Sequence, residues 1–301
     1  DADAQLHYLA ILNIARILYA AGEYEQARTF YALVPRDSDY WPEALFEAAW
    51  SLYRVGDQPH TLGHLLTIES PYFSQSHFNP ELKILEAITW YSTCDTGAVD
   101  ASITQFYETY TPIQEALRDT LGQYDSRESL AGADRVWAQT FGAGETVETV
   151  LPQALFSRML RNHDLAGVAN HLEMIDAEMA AIASQKRAWR QVMEDDLVAV
   201  LEHDQERLTN RAGRLVLSEM ARQDARISDL FMQADIIRYE STNAQYIVAR
   251  DYDPAQELER LRQETTVSYA VDPRQVYWPF NGEFWEDELG YYSVVSPSRC
   301  R

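Results

Sequence analysis

The chain has 301 residues, of which 46% are hydrophobic and 24% charged, a composition typical of a globular protein with one or two cores. Asp and Glu number 47 against 25 Lys and Arg, so the net charge is −22. Because such a surface repels phosphate backbones, nucleic acid is excluded as an expected partner. The most apolar stretch, residues 9–21, is interrupted by Asn13 and Arg16, and we expect no insertion into a membrane.

The first third of the chain repeats itself at an offset of 34 residues. The pairs that recur are Ala15 with Ala49, Leu18 with Leu52, Tyr19 with Tyr53, and Gly22 with Gly56. A weaker third copy follows at an offset of 38, and Cys94 stands where its glycine is expected. Apolar residues at helical spacing before and after each glycine predict two helices per copy, with the glycine in the turn between them.

The run Ala15-x-x-x-Tyr19-x-x-Gly22-x-Tyr24-x-x-Ala27-x-x-x-Tyr31 resembles the tetratricopeptide repeat (TPR), a helical hairpin of 34 residues. The resemblance covers roughly residues 5 to 112 and implies an array of about three hairpins over residues 1–112. A helical bundle that matches this pattern by coincidence is the alternative.

The TPR resemblance also implies a binding surface, because the first helix of each hairpin lines the concave face of such arrays. Carried over by the alanine and glycine positions, the lining residues are Leu12, Arg16, Tyr19, Phe46, Trp50, Tyr53, Arg54, Ile84, Ile88 and Tyr91. The expected partner-binding residues among them are Arg16, Tyr19, Phe46, Trp50, Tyr53, Arg54 and Tyr91, since Trp, Tyr and Arg dominate interface energetics. In the alternative, the two tyrosines only pack between helices and Trp50 lies under the rest of the chain.

The remaining residues fall into three predicted segments. Residues 113–165 are an irregular helical connector, and residues 166–252 carry apolar side chains in a short heptad pattern. A change of phase at Asn210–Gly213 predicts two long antiparallel helices that turn there, with a single continuous rod as the alternative. Residues 253–301 are rich in aromatics, and we expect this tail to dock back on the helices.

Cys94 and Cys300 are either one disulfide or two unrelated thiols, and their spacing does not decide between the two. The loop Ser70-Pro71-Tyr72-Phe73, the helical hairpin and the closing aromatic segment together resemble exported TPR proteins of myxobacteria and related bacteria. This resemblance implies a periplasmic or cell-envelope location, with the cytoplasm as the alternative. An envelope location in turn favours a Cys94–Cys300 bridge.

Motifs that carry chemistry are missing from the sequence. It contains no Gly-rich nucleotide loop, no Cys-x-x-Cys and no Gly-x-Ser-x-Gly elbow. His60 and His64 lie four residues apart but lack the Glu of a zinc protease, and we interpret them as a surface pair. We therefore expect no cofactor, no metal and no enzymatic activity.

Taken together, the sequence predicts an all-α protein that consists of a short TPR-type array, irregular helices, a long antiparallel helical hairpin and an aromatic C-terminal extension. The expected function is that of a scaffold or assembly factor that binds a peptide or a partner protein on the concave face. Two alternatives stay open. One is a structural subunit that joins a larger envelope assembly through the hairpin, and the other is a carboxylate-based hydrolase with a cleft between array and hairpin.

Overall fold

The structure is a computed structural model that describes residues 2–73, 78–124, 133–141, 151–250, 281–295, 298 and 300. Within these residues the chain forms ten α-helices and no β-strand, so the predicted all-α fold is confirmed. The helices are α1 (Ala2–Ala20), α2 (Tyr24–Tyr31), α3 (Trp41–Val55), α4 (Gln58–Ile68), α5 (Glu81–Ser92), α6 (Thr96–Gly122), α7 (Asp134–Phe141), α8 (Gln153–Met159), α9 (His163–Ala183) and α10 (Arg187–Arg250). None of these ten helices has an apolar stretch of the length needed to cross a membrane.

The chain divides into two compact units. Unit 1 consists of Asp1–Pro71, Leu82–Ile103 and Ala234–Arg301, and unit 2 of Tyr72–Glu81 and Thr104–Gln233. Unit 1 therefore holds the first four helices and nearly all of α5, whereas α7, α8 and α9 belong to unit 2. Helices α6 and α10 each contribute one part to either unit.

The first three hairpins, α1–α2, α3–α4 and α5–α6, share one kind of turn. Gly22, Gly56 and Cys94 follow the first helix of each hairpin, with φ angles of +85°, +84° and +59°. The N–H of each turn residue donates to the carbonyl three residues before it, and the next N–H donates to the carbonyl five residues before it. This Schellman arrangement requires a left-handed residue, which costs glycine little and a residue with a Cβ about 1–2 kcal/mol. Cys94 thus makes the turn that glycine makes in the first two hairpins.

Small side chains bring the helices of unit 1 close together. The alanines at the repeating positions, Ala15, Ala49 and Ala87, have no exposed surface, and neither has Ala27 in α2. A methyl group at a crossing point lets two helix backbones approach, and larger side chains then fill the space on either side. The large residues buried in this way include Leu12, Leu52, Leu65, Leu85 and Ile103.

The segment 281–295 packs against the second hairpin. The Tyr292 carbonyl lies so close to Gly63 in α4 that a Cβ on Gly63 would be 1.7 Å from the carbonyl oxygen. One turn earlier on α4, the carbonyl of Pro59 accepts a hydrogen bond of 3.0 Å from the N–H of Val294. Because this contact is made by backbone, it requires a residue without a side chain at Gly63.

The loop between α2 and α3 holds the same segment through Arg36. Its guanidinium donates to the carbonyls of Glu286 and Asp287 at 3.2 and 3.1 Å, and it lies 4.7 Å from the centre of the Tyr291 ring. The guanidinium therefore combines hydrogen bonds to backbone with a cation–π contact. These contacts, together with those on α4, dock this part of the predicted tail on the helices of unit 1.

A disulfide joins Cys94 to Cys300, with their Cα atoms 5.0 Å apart. It links the turn of the third hairpin to the C-terminal end of the chain across a sequence separation of 206 residues. Residues 251–280, which include the first part of the predicted tail, lie outside the described residues.

Unit 2 has its own hydrophobic core, built from α6, α7, α8, the start of α9 and the middle of α10. The largest of its fully buried side chains are Leu117, Leu155, Met159, Leu165 and Ile227. Polar contacts join α6 to α10 beside this core: Gln114 donates to the Ser228 hydroxyl at 2.8 Å, and Arg118 donates to Asp224 at 2.8 Å. The two helices are therefore held by apolar packing with hydrogen bonds along its edge.

The turn predicted at Asn210–Gly213 is wrong. Helix α10 continues through these residues, and the chain instead reverses at 184–186, between α9 and α10. Glycine is required at position 213 by a close contact and not by a turn, because a Cβ there would lie 1.7 Å from the carbonyl oxygen of Ala133. The change in hydrophobic phase marks a change of packing partner along one helix, as Ala212 packs with residues of α9 whereas Leu217 packs in the core described above.

Substituting two helical glycines tests whether Gly213 is required by a close contact rather than by a turn. Gly213→Ala should lower the free energy of unfolding by roughly 1–3 kcal/mol, because the new methyl group meets backbone that must move. Gly167→Ala in α9 is the matched control: no atom lies within 4 Å of its Cβ, and the change should raise stability by about 0.5–1 kcal/mol. Urea unfolding of both variants measures the difference. Equal effects would contradict the close contact at Gly213.

Candidate functional site

The expected partner-binding residues lie on α1, α3 and α5 of unit 1, and the structure places them in three different situations. Phe46 is only 8% exposed and belongs to the core, whereas Tyr91 is 38% exposed near the end of α5. Arg54 is exposed at the end of α3. The remaining four, which are half-buried, are Arg16, Tyr19, Trp50 and Tyr53. Half-buried aromatic residues combine fixed positions with a free surface.

Arg16 is bound to two carboxylates on the neighbouring helix. Its Nε lies 2.9 Å from one Glu47 oxygen, and its Nη2 lies 2.7 Å from both the other Glu47 oxygen and Glu43. Glu43 and Glu47 are one turn apart on α3, so a single guanidinium on α1 reaches both. The hydrogen bond to Glu47 is the main reason why the pKa of Arg16 is raised above its ordinary value. Arg16 therefore acts as a clamp between α1 and α3.

Tyr31 extends this cluster into the core. Its side chain is buried at the end of α2, and burial is the largest cause that raises the pKa of its phenol. The negative charge of Glu47 and a hydrogen bond to that carboxylate raise this pKa further. Glu47 thus connects side chains from α1, α2 and α3 within one cluster.

The other aromatic residues form two neighbouring contacts. The ring of Tyr19 meets that of Tyr24 edge to face at 5.2 Å, and the guanidinium of Arg54 lies 4.6 Å from the centre of the Tyr24 ring. On α3, Trp50 meets Tyr53 edge to face at 6.0 Å. In each contact, the negative face of an aromatic ring attracts either the positive edge of another ring or a cation. We call these five residues the aromatic patch.

Sequence reasoning missed three residues of this region. Tyr24 belongs to the repeat motif but is not among the expected partner-binding residues, although the structure places its ring against both Tyr19 and Arg54. Glu43 and Glu47 carried a usable signal, because two acids four residues apart on α3 can face one cation on α1. The repeat offset obscured this pairing, since at 34 residues Arg16 corresponds to Trp50 rather than to an acid.

The predicted surface pair of histidines is wrong for His64. His60 is exposed, and its Nδ1 lies 2.8 Å from Asp57. His64 is mostly buried, and its Nδ1 has no hydrogen-bond partner among the described residues. Burial lowers the pKa of His64 to about 4, so its imidazole is neutral near pH 7. His64 directly follows Gly63, against which the C-terminal segment packs, and no local pattern in the sequence indicates that contact.

A polar cleft of about 370 Å³ lies elsewhere in unit 1, between α6 and α10. Its charged residues are Asp100 and Arg238, which form an ion pair at 2.8 Å, and hydroxyl groups of Ser241 and Thr242 also line it. Each of these two charged groups therefore already has the other as a partner. Within the described parts of the chain, His, Cys, Asp and Glu side chains form no group of three that could hold a metal ion.

Comparisons with known proteins identify no relative of this chain. No family model matches it, and neither a curated protein nor a solved structure is significantly similar to it. The resemblance to tetratricopeptide repeats therefore remains a prediction from the sequence, and a function has to be inferred from the geometry of the chain's own residues.

Arg16→Ala should affect stability more than partner binding. Removing the guanidinium leaves Glu43 and Glu47 to repel each other, and we expect the free energy of unfolding to fall by about 1–2 kcal/mol. Arg54→Ala is the control, because its exposed contact with Tyr24 is worth less than about 1 kcal/mol. Urea unfolding measures both. An Arg16→Ala variant as stable as the wild type would contradict the role of Arg16 as a clamp.

His64 should make the protein less stable in mild acid. Since its pKa is lowered in the folded state, the unfolded chain takes up a proton near pH 6.5 that the folded chain accepts only near pH 4. The stability from neutral His64 is therefore complete above about pH 6.5, and about 3 kcal/mol is lost as the pH falls to 4. His64→Leu should remove this part of the pH dependence, and His60→Gln should retain it. Unfolding measured from pH 4 to 8 would contradict the assignment if His64→Leu kept the wild-type slope.

Proposed function

We propose that unit 1 is a TPR-type scaffold that binds a segment of a partner protein on the aromatic patch. The fold proposal is supported by the three hairpins, which share one turn geometry at Gly22, Gly56 and Cys94. Buried alanines at the equivalent positions of α1, α3 and α5 give it further support, because a repeat with these offsets needs small residues where its helices cross.

The observation that carries the binding proposal is the arrangement of half-buried rings beside an exposed cation. Trp50 and Tyr53 hold each other edge to face, and Arg54 is fixed over Tyr24. Their conformations are therefore set before a partner arrives, so binding costs little side-chain entropy. Large, pre-organised Trp, Tyr and Arg side chains are the residues that contribute most to the affinity of protein interfaces.

The chemistry of the patch indicates what a partner segment would offer. The Trp50 and Tyr53 rings fit an apolar or aromatic side chain, and the exposed edge of the Arg54 guanidinium fits a carboxylate or a carbonyl. Arg16 contributes little to this recognition, because Glu43 and Glu47 already take up its donors. A short peptide in a helical or extended conformation would satisfy these requirements.

The proposed location is the periplasm or another oxidising part of the cell envelope, and the cytoplasm is the alternative. The Cys94–Cys300 disulfide supports this location. Disulfides persist in oxidising compartments and are rare in the reducing cytosol.

Combined substitution of Trp50→Ala and Arg54→Ala should abolish partner binding without unfolding the protein. We expect a pull-down with the wild-type protein from the cells that make it to capture a partner, and the double variant to bind it at least ~10-fold more weakly. Tyr239→Ala removes a 68% exposed aromatic residue from α10 and is the matched control. Circular dichroism establishes that each variant is folded. A partner retained by the double variant, or no partner for the wild type, would contradict the proposal.

A further inference from the structure

The tip of the α9–α10 hairpin carries exposed apolar side chains that its own two helices do not cover. Val192 and Val200 are 75% and 62% exposed, and Trp189 and Met193 are about 40% exposed. At helical spacing, Trp189, Met193 and Val200 lie on one face of α10. Beside them is an apolar cleft of about 380 Å³ between the two helices, lined by Glu178, Ala181, Ile182, Gln185, Leu197 and Leu201 in addition to Trp189 and Val200. Such a contiguous apolar surface is typical of an interaction site.

The end of the hairpin, residues 179–193, has a net charge opposite in sign to that of the whole chain. Residues 179–193 contain three cations and no carboxylate, in a protein whose net charge is −22. One of these cations, Arg190, is paired with Glu194 at 3.3 Å. The other two, Lys186 and Arg187, form no ion pair with the described residues and stay available for a partner. The tip therefore combines an apolar face with free positive charge.

A matching negative charge lies further along the same helix. Asp195 and Asp196 are exposed, and they too form no ion pair with the described residues. They follow Lys186 and Arg187 by nine residues, which places the two charged groups about 14 Å apart along α10. The exposed apolar residues Trp189, Val192 and Met193 lie between them. At helical spacing, Lys186, Trp189, Met193 and Asp196 lie on one side of α10, whereas Arg187 and Asp195 lie on the other. The first side presents positive charge, apolar surface and negative charge in that order.

We propose that this surface binds a second copy of the chain, tip against tip and antiparallel. A twofold axis at the level of Gln191, on the side of α10 that carries Trp189 and Met193, would place Lys186 of each copy against Asp196 of the other. In an isologous interface the same surface of both copies meets in opposite directions, so each positive end has to face the negative end of the other copy. The same axis would bring the two apolar faces together, so that two helical hairpins form a four-helix bundle.

A second copy fits this surface better than an anionic lipid surface does. A membrane would attract Lys186 and Arg187 but repel Asp195, Asp196 and the strongly acidic remainder of the chain. In the proposed dimer both charged groups find partners, and the exposed valines and Trp189 are removed from water.

Exchanging charges between two variants tests the proposal directly. The wild type at about 50 µM should have twice the 34.5 kDa mass of the chain in light scattering or sedimentation, at low salt. Lys186→Glu with Arg187→Glu makes both charged groups negative, and Asp195→Lys with Asp196→Lys makes both positive. Each variant alone should be monomeric because like charges then meet at the axis. An equimolar mixture of the two should recover the dimer, since each copy again meets opposite charge.

Two further variants separate this interface from a general effect on folding or charge. Met193→Asp should give a folded monomer, because it places a charge in the centre of the apolar face and replaces a side chain that is 42% exposed. Arg211→Glu with Arg214→Glu reverses two exposed cations of the same helix outside the tip, and should leave the dimer intact. A monomeric wild type, a mixture that stays monomeric, or binding to anionic vesicles without a dimer would each overturn the proposal.

Discussion

The left-handed residue at the end of α1, α3 and α5 is the constraint on which the first half of the structure depends. It satisfies the last carbonyls of each helix and reverses the chain, so that the following helix returns along the one before. With the reversal fixed, the small residues fall at the helix crossings and the large aromatics fall at their edges. The positions of the turns therefore determine where the aromatic patch lies.

The few cations of this protein are used in two different ways. Cations are few, and three of those in unit 1 make internal connections: Arg16 joins α1 to α3, Arg36 holds the C-terminal segment, and Lys83 of α5 pairs with Glu69 and Glu86. Lys186 and Arg187 at the hairpin tip make no such connection with the described residues. Positive charge exposed beside an apolar surface in an acidic protein is the observation on which the proposed interface at the tip rests.

Local patterns in the sequence predicted the parts of the fold that depend on local forces. Helical periodicity and glycine positions gave the helices of the first two hairpins, because apolar spacing and a left-handed turn act within a few residues. The turn at Asn210–Gly213 was mistaken, since a glycine needed for contact with Ala133 resembles one needed for a turn. His64 was mistaken for the same reason, because the contact beside it comes from residues more than 200 positions later. In the candidate site, the sequence predicted that Trp, Tyr and Arg side chains would lie on α1 and α3. It did not predict that Glu43 and Glu47 would bind Arg16.

The two proposed surfaces differ in how they are built, and this difference bears on what each can recognise. The aromatic patch rests on hairpins held by an ion-pair cluster and by buried alanines, so its side chains are fixed before binding and suit a partner of defined shape. The hairpin tip has few buried residues, and its specificity would come from the order of charges along one helix. A dimer formed at the tip would present two copies of the patch. If each patch bound one segment of the same partner, the second binding event would take place at the effective concentration set by the dimer, and a weak patch would then suffice for tight assembly.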